Sequence, residues 1–146
     1  MDPPFYGTLI IGGGPAGAGA AVYAARKKLK TLVITEGFGG QSMVSGSIEN
    51  WIGELSISGI DLAERLRKHV EAQGDIEIKS PERVTKLAEG ANCAFEVNTG
   101  KGGLYRSKTV IITSGARRRR LYVPGEDKWE GKGLCPLPPR RKHLGP

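Results

Sequence analysis

Residues 8–36 read TLIIGGGPAGAGAAVYAARKKLKTLVITE, and this stretch decides the fold. Tyr6 to Gly12 is a short apolar, β-branched run that reads as a buried strand. It passes directly into Gly12-Gly13-Gly14-Pro15-Ala16-Gly17, and then into an Ala-rich helical stretch over Ala18 to Lys30. Alanine is the best helix former, and Pro15 at a first helical position brings φ already set. Thr31 to Thr35 is a second apolar strand. A strand, a helix and a strand within about thirty residues make one right-handed βαβ unit.

The spacing of the glycines gives that unit its chemistry. Gly12 serves the tight turn off the strand, Gly14 lets a pyrophosphate approach the backbone, and Gly17 lets helix and strand pack closely. Pro15 and Ala16 open the helix, whose free N–H groups from Ala16 onward and partial positive charge favour phosphate there. Thr35 and Glu36 close the second strand as candidate cofactor-binding residues, Glu36 placed to accept hydrogen bonds from both ribose hydroxyls. A carboxylate repels a 2′-phosphate, so the motif predicts FAD or NAD rather than NADP.

Outward from this unit, residues 36–57 are rich in Gly and Ser and read as loop. A helix is predicted over Ile60 to Gln73, where Leu62, Leu66 and Val70 recur every four positions. Ser58 and Asp61 suit its N-terminus and Gly74 its C-terminus. Alternation predicts strands at Ile76–Lys79, Arg83–Ala88, Ala94–Asn98 and Leu104–Arg106, the last three forming a small antiparallel meander around the turn Thr99–Gly103. Thr109 to Thr113 is a further buried strand, ending on Ser114-Gly115-Ala116. The fold class is therefore α/β: a Rossmann-like FAD/NAD(P)-binding domain with a parallel sheet of about four strands and an inserted antiparallel β-meander.

Composition narrows the class further. The chain has 146 residues, 38% apolar and 25% charged, ordinary for one globular domain. Two cysteines, Cys93 and Cys135, exclude a disulfide framework and a four-cysteine zinc site. His69 and His143 form no ligand spacing, so no metal site is predicted, and Ser42, Ser45 and Ser47 lack a placed base for hydrolysis. No apolar run approaches the roughly 20 residues of a membrane helix. The start lacks the pattern of a signal peptide, and a cytoplasmic location is expected.

The net charge of +7 is unevenly distributed. Residues 1–116 carry 13 Lys and Arg against 12 Asp and Glu, and residues 117–146 carry 9 against 3. Arg117–Arg120 and Arg140-Arg-Lys142 invite a nucleic-acid reading, but aromatics do not interleave with them beyond Tyr122 and no nucleic-acid motif accompanies them. Specific nucleic-acid binding is not expected.

Several strings together resemble the start of a bacterial thioredoxin reductase, of the class II pyridine nucleotide-disulphide oxidoreductases. They are Gly12-Gly-Gly-Pro-Ala-Gly17, Tyr23-Ala-Ala-Arg26, Gly39-Gly-Gln41, Ile48-Glu-Asn-Trp51, Thr113-Ser-Gly-Ala-Arg117, Val123-Pro-Gly-Glu-Asp127 and Gly131-Lys-Gly133. The flavoprotein subunit of alkyl hydroperoxide reductase shares this module and is a close alternative. The resemblance implies FAD as cofactor, with Gly12, Gly14 and Gly17 on the pyrophosphate and Glu36 on the adenosine ribose. It places Gly40 and Gln41 on the isoalloxazine side, Asn50 within hydrogen-bonding range of it, Val84 against the adenine through its backbone, and Ser114-Gly115 closing the pocket. For Gln41 and Asn50 the other reading is ordinary loop hydrogen bonding, Asn50 capping Trp51.

The resemblance also implies NADPH bound by a second glycine-rich copy, a thioredoxin-like disulfide protein as partner, and a homodimer. Residues 1–116 then form the FAD-binding domain, 117–133 an inter-domain hinge, and 134–146 an aberrant tail expected to be disordered. In the family the chain continues after Gly133 toward Cys-x-x-Cys. Here Cys135 is followed by Pro136, Leu137 and Pro138, so no second sulfur stands three positions on. A dithiol relay needs one sulfur to attack and one to resolve. Cys93, in an alternating stretch, reads as a small core residue. The abrupt Pro- and Arg-rich ending has the character of an out-of-frame reading, and a truncated or frameshifted gene, or a gene fragment, is the expectation.

Overall fold

The computed structural model describes residues 3–90, 94–116 and 122–129. Cys93, Arg117–Arg120, Gly131–Gly133, Cys135 and the 134–146 tail, each assigned a role above, lie outside the described residues. The chain divides into two compact units, Met1–Gly115 and Ala116–Pro146.

In the first unit β1 (Phe5–Gly13), α1 (Pro15–Arg26) and β2 (Thr31–Phe38) form the expected βαβ unit. A single 3-10 turn at Gly40–Val44 leads toward α2 (Gly59–Glu71), then β3 (Ile76–Lys79), β4 (Val84–Glu89), β5 (Phe95–Thr99) and β6 (Leu104–Ile112). The described strands make one sheet in the order β3-β2-β1-β6-β5-β4. The β3, β2, β1 and β6 neighbours are parallel; β4, β5 and β6 are antiparallel. The α/β expectation holds, with four parallel strands and a meander.

The inserted meander shares a strand with the parallel sheet. Leu104–Arg106 and Thr109–Thr113, read as two strands, are largely one strand, β6, which ends at Ile112. Its residues 104–107 pair with β5 and its residues 106–112 pair with β1. The polar Ser107-Lys108 pair resembles a break in sequence. Its backbone stays extended because Ser107 pairs with β5 on one side and β1 on the other, and the Ser107 hydroxyl donates to the Thr109 carbonyl at 2.7 Å.

Alternation along the strands sends side chains to both faces. Toward the helices, Ile10 and Val33 pack with Ala18, Ala21 and Val70. On the other face Tyr6, Leu9, Leu32 and Ile34 pack with Val97 of the meander. Burial of each large aliphatic side chain contributes roughly 1.5–3 kcal/mol. The alanines of α1 leave it small enough to lie close to the sheet. In α2 the apolar stripe Leu62, Leu66 and Val70 faces inward, while Glu64–Lys68 and Arg67–Glu71 pair at one-turn spacing on the outside.

In the second unit, the described residues form a short turn and the helix α3 (Glu126–Trp129), whose Glu126 carboxylate accepts the Tyr122 N–H at 2.8 Å.

Candidate functional site: the carboxyl end of the parallel strands

Three parallel strands end side by side, each with a predicted site segment: β1 at Gly12–Gly14, β2 near Glu36, and β6 before Ser114-Gly115. In open α/β sheets this edge is where ligands bind. Its shape follows from glycine at three positions. Gly12 has φ +113° and lies against the Thr113 backbone; a Cβ there would sit 2.3 Å from the Thr113 carbonyl oxygen. At Gly17 a Cβ would sit 2.0 Å from the Gly12 carbonyl oxygen. Helix α1 can therefore approach β1 only with glycine there.

Gly14 differs from both. Nothing lies within 4 Å of a Cβ built there, so the space in front of its backbone is open. Gly14 is also the N-cap of α1, with no side-chain cap, and Pro15 follows without an N–H. The first turn thus presents backbone amides of Ala16 and Gly17 without a capping side chain to occupy them. Gly40 comes close, its Cβ direction 3.4 Å from the Gly14 Cα. The predicted residues Gly12, Gly14, Pro15, Ala16, Gly17 and Gly40 are brought together where β1 passes into α1.

The loop after β2 is more structured than its composition suggests. β2 runs on to Phe38, and the Gly39 N–H donates to the Gly13 carbonyl at 2.9 Å, holding the 3-10 turn beside the glycine turn. Gly39 has φ +91° and faces Ala63 of α2; Gly59 lies so close to Ser42 that a Cβ would meet its carbonyl. These glycines, together with Gly13 against Thr35, position the site and were missed in sequence; the paired glycines at 39–40 were the available signal. Gln41 is exposed on this turn and is hydrogen-bonded or paired within the protein. Asn50 is exposed in the loop closed by the Ile48–Ile57 bridge, just before a turn in which the Glu54 N–H donates to the Trp51 carbonyl.

Thr35 is buried, and its hydroxyl donates to the Gly37 carbonyl at 2.8 Å. It shapes the end of β2 rather than facing outward. Glu36 faces outward and pairs with Arg83, Nε to Oε1 3.3 Å. The two line a cleft of about 240 Å³ with Pro81, Glu82, Gly100 and Lys101. Glu82 braces this cleft: its N–H donates to the Thr35 carbonyl and its carboxylate accepts the Lys101 N–H at 3.1 Å. Val84, next to Arg83, packs its side chain on the core. Ser114 and Gly115 are exposed, Gly115 with φ +65° and open space before it. Among the described residues no cluster of His, Cys, Asp or Glu could hold a metal, and no helix is long and apolar enough to cross a membrane.

Residues 6–137 match the family described as pyridine nucleotide-disulphide oxidoreductase. The chain belongs to that family. It is 43% identical over 134 residues to an alkyl hydroperoxide reductase subunit of Xanthomonas campestris pv. phaseoli, covering 91% of this chain and 25% of that protein. It is 41% identical to an NADH dehydrogenase of Bacillus subtilis, covering 94% of this chain and 26% of that one. The thioredoxin reductase structure from Streptococcus pyogenes superposes with a TM-score of 0.76 at 40% identity, over 88% of this chain and 41% of that one. The chain thus spans about a quarter of the length of the curated relatives it matches. The resemblance drawn from the glycine strings is borne out, and family membership with thioredoxin reductase neighbours implies FAD as the cofactor.

Proposed function

We propose that this chain is the N-terminal FAD-binding portion of a FAD-dependent oxidoreductase of the thioredoxin-disulphide reductase type. The observation that carries the reading is the glycine turn. Gly12 and Gly17 admit no side chain, Gly14 opens onto free space, and uncapped amides of α1 face that space. These residues fit a pyrophosphate. On this reading Gly12, Gly14, Pro15, Ala16 and Gly17 hold the pyrophosphate, and Glu36 the ribose at the end of the β2 segment shaped by Thr35. Val84 lies toward the adenine, and Gly40, Gln41, Asn50, Ser114 and Gly115 toward the flavin ring.

When bound, FAD supplies a carrier for an electron pair between a nicotinamide and a disulfide. This chain's residues bind and orient it. Residues 1–116 are assigned to the cofactor domain, 117–133 to a hinge and 134–146 to an atypical tail. NADPH as donor, a thioredoxin-like disulfide protein as acceptor, a homodimer and a cytoplasmic setting belong to the whole protein under this reading. The 146 residues contain no Cys-x-x-Cys, so disulfide exchange is not assigned to them. The 43% identity to a component of alkyl hydroperoxide reductase favours a second reading in which the same module serves that enzyme.

The test is to incubate the purified chain with FAD, desalt it and record the visible spectrum. Flavin bands that stay with the protein and are not bleached by NADPH are expected. A folded chain that emerges colourless overturns the reading.

A further inference from the structure

The cleft at the end of β2 holds two cations beside the carboxylate that the glycine motif predicts for the ribose. Arg83 pairs with Glu36 at 3.3 Å, and both side chains are substantially exposed. Lys101 is placed by its backbone N–H on Glu82, with its ammonium 4.0 Å from the same carboxylate. The backbone under Arg83 is pinned, because its carbonyl accepts the Gly100 N–H at 2.9 Å. Its side chain therefore springs from a fixed root and carries an exposed guanidinium at the mouth of a cleft of about 240 Å³.

In nucleotide-binding α/β domains a carboxylate here selects an unmodified ribose, whereas a nearby arginine accommodates a 2′-phosphate. This chain places both groups in one cleft. Resting on the nucleotide reading above, we propose that Arg83 is a specificity-determining residue, held in check by Glu36. With Glu36 present, the guanidinium is engaged by a carboxylate that also repels a second anion, and the cleft takes an unphosphorylated ribose. With the Glu36 carboxylate removed, the Arg83 guanidinium turns to the ligand while Lys101 stays beside Glu82, and the preference turns to a 2′-phosphorylated nucleotide. The planar guanidinium can take a phosphate through two parallel N–H bonds, which the Lys101 ammonium cannot match in geometry.

The experiment measures binding of adenosine 5′-monophosphate and adenosine 2′,5′-bisphosphate to the full chain by calorimetry at low salt. Circular dichroism confirms that each variant is folded. The wild type is expected to favour the monophosphate. Glu36→Gln should favour the bisphosphate by roughly tenfold, an effect that shrinks with added salt. Glu36→Gln combined with Arg83→Gln should return the two ligands to within about threefold of each other. A double variant as selective for the bisphosphate as Glu36→Gln alone overturns the role of Arg83, while monophosphate binding by the wild type leaves the nucleotide reading standing. A folded wild type that binds neither ligand overturns both.

Discussion

The Thr113 hydroxyl donates to the Ile11 carbonyl at 2.8 Å and lies 3.2 Å from the Gly12 carbonyl, so one side chain at the end of β6 ties down the turn that leaves β1. The Thr113 N–H also donates to the Ile11 carbonyl. A valine there keeps the shape and removes the hydroxyl. Thr113→Val is expected to lower stability by about 1 kcal/mol, the contribution of one such hydrogen bond. It should weaken FAD retention as the Gly12 turn loosens. Thermal unfolding and flavin content of the desalted protein measure the two effects.

Two glycines in α1, two residues apart, should respond oppositely to alanine. At Gly17 the new methyl group would collide with the Gly12 carbonyl and Thr113, so Gly17→Ala is expected to cost at least about 1–3 kcal/mol and abolish FAD retention. At Gly19 nothing lies within 4 Å, and alanine is favoured over glycine in a helix interior by about 0.5–1 kcal/mol. Gly19→Ala should therefore raise the melting temperature and leave FAD retention intact. Equal effects of the two changes would contradict the close approach of helix and strand.

This contrast also marks what was legible in the sequence. Gly12, Gly14 and Gly17 announce themselves because one short segment carries strand, turn and helix, and local spacing determines their geometry. The Ser58 cap and the α2 stripe are legible for the same reason. The Glu36–Arg83 pair was not, since it depends on the Glu82 N–H reaching back to the Thr35 carbonyl at the end of β2, a contact that no local pattern announces. Likewise, Gly39 and Gly59 owe their importance to the docking of α2 on the 3-10 turn. The unity of β6 was hidden because Ser107-Lys108 interrupts a hydrophobic run that sheet pairing on both sides overrides.

Tyr6 links β1 to β3 by donating to the Glu77 carboxylate at 2.5 Å. That hydrogen bond, with help from Lys79, holds the Glu77 carboxyl below its ordinary value, while burial and the same carboxylate push the Tyr6 phenol well above its own. A depressed carboxyl stabilises the fold above its unfolded value of 4.5 and loses that contribution as pH falls through the folded one. A raised phenol stabilises below its unfolded value of 10.0 and loses its contribution as pH rises beyond that. Tyr6→Phe should thus cost about 1 kcal/mol at neutral pH, and the cost should shrink as pH falls from 4.5 through the lower value that Glu77 has in the fold, where the carboxyl takes up its proton. Denaturant midpoints of both proteins across the acid range check this. A difference that does not shrink toward low pH would show that the phenol acts through packing alone.

Ser58 caps α2 in both directions: its hydroxyl oxygen accepts the Asp61 N–H at 3.1 Å, and its hydrogen is directed to the Asp61 carboxylate at 2.6 Å. Immediately beyond, Gly59 touches the Ser42 carbonyl and Ala63 faces Gly39, so the start of α2 is also the support of the 3-10 turn carrying Gly40 and Gln41. Ser58→Ala is expected to destabilise by about 1 kcal/mol. Because the first turn of α2 frays first, amide exchange should speed at Ser42 and Ser45, whose N–H groups bond within that turn, before it speeds in β1. Ser58→Asp keeps an acceptor for the Asp61 N–H but places two carboxylates together, so it should recover only part of the loss. Hydrogen exchange read by mass spectrometry follows each step, and uniform acceleration across the domain would show that the cap supports the fold as a whole rather than this turn.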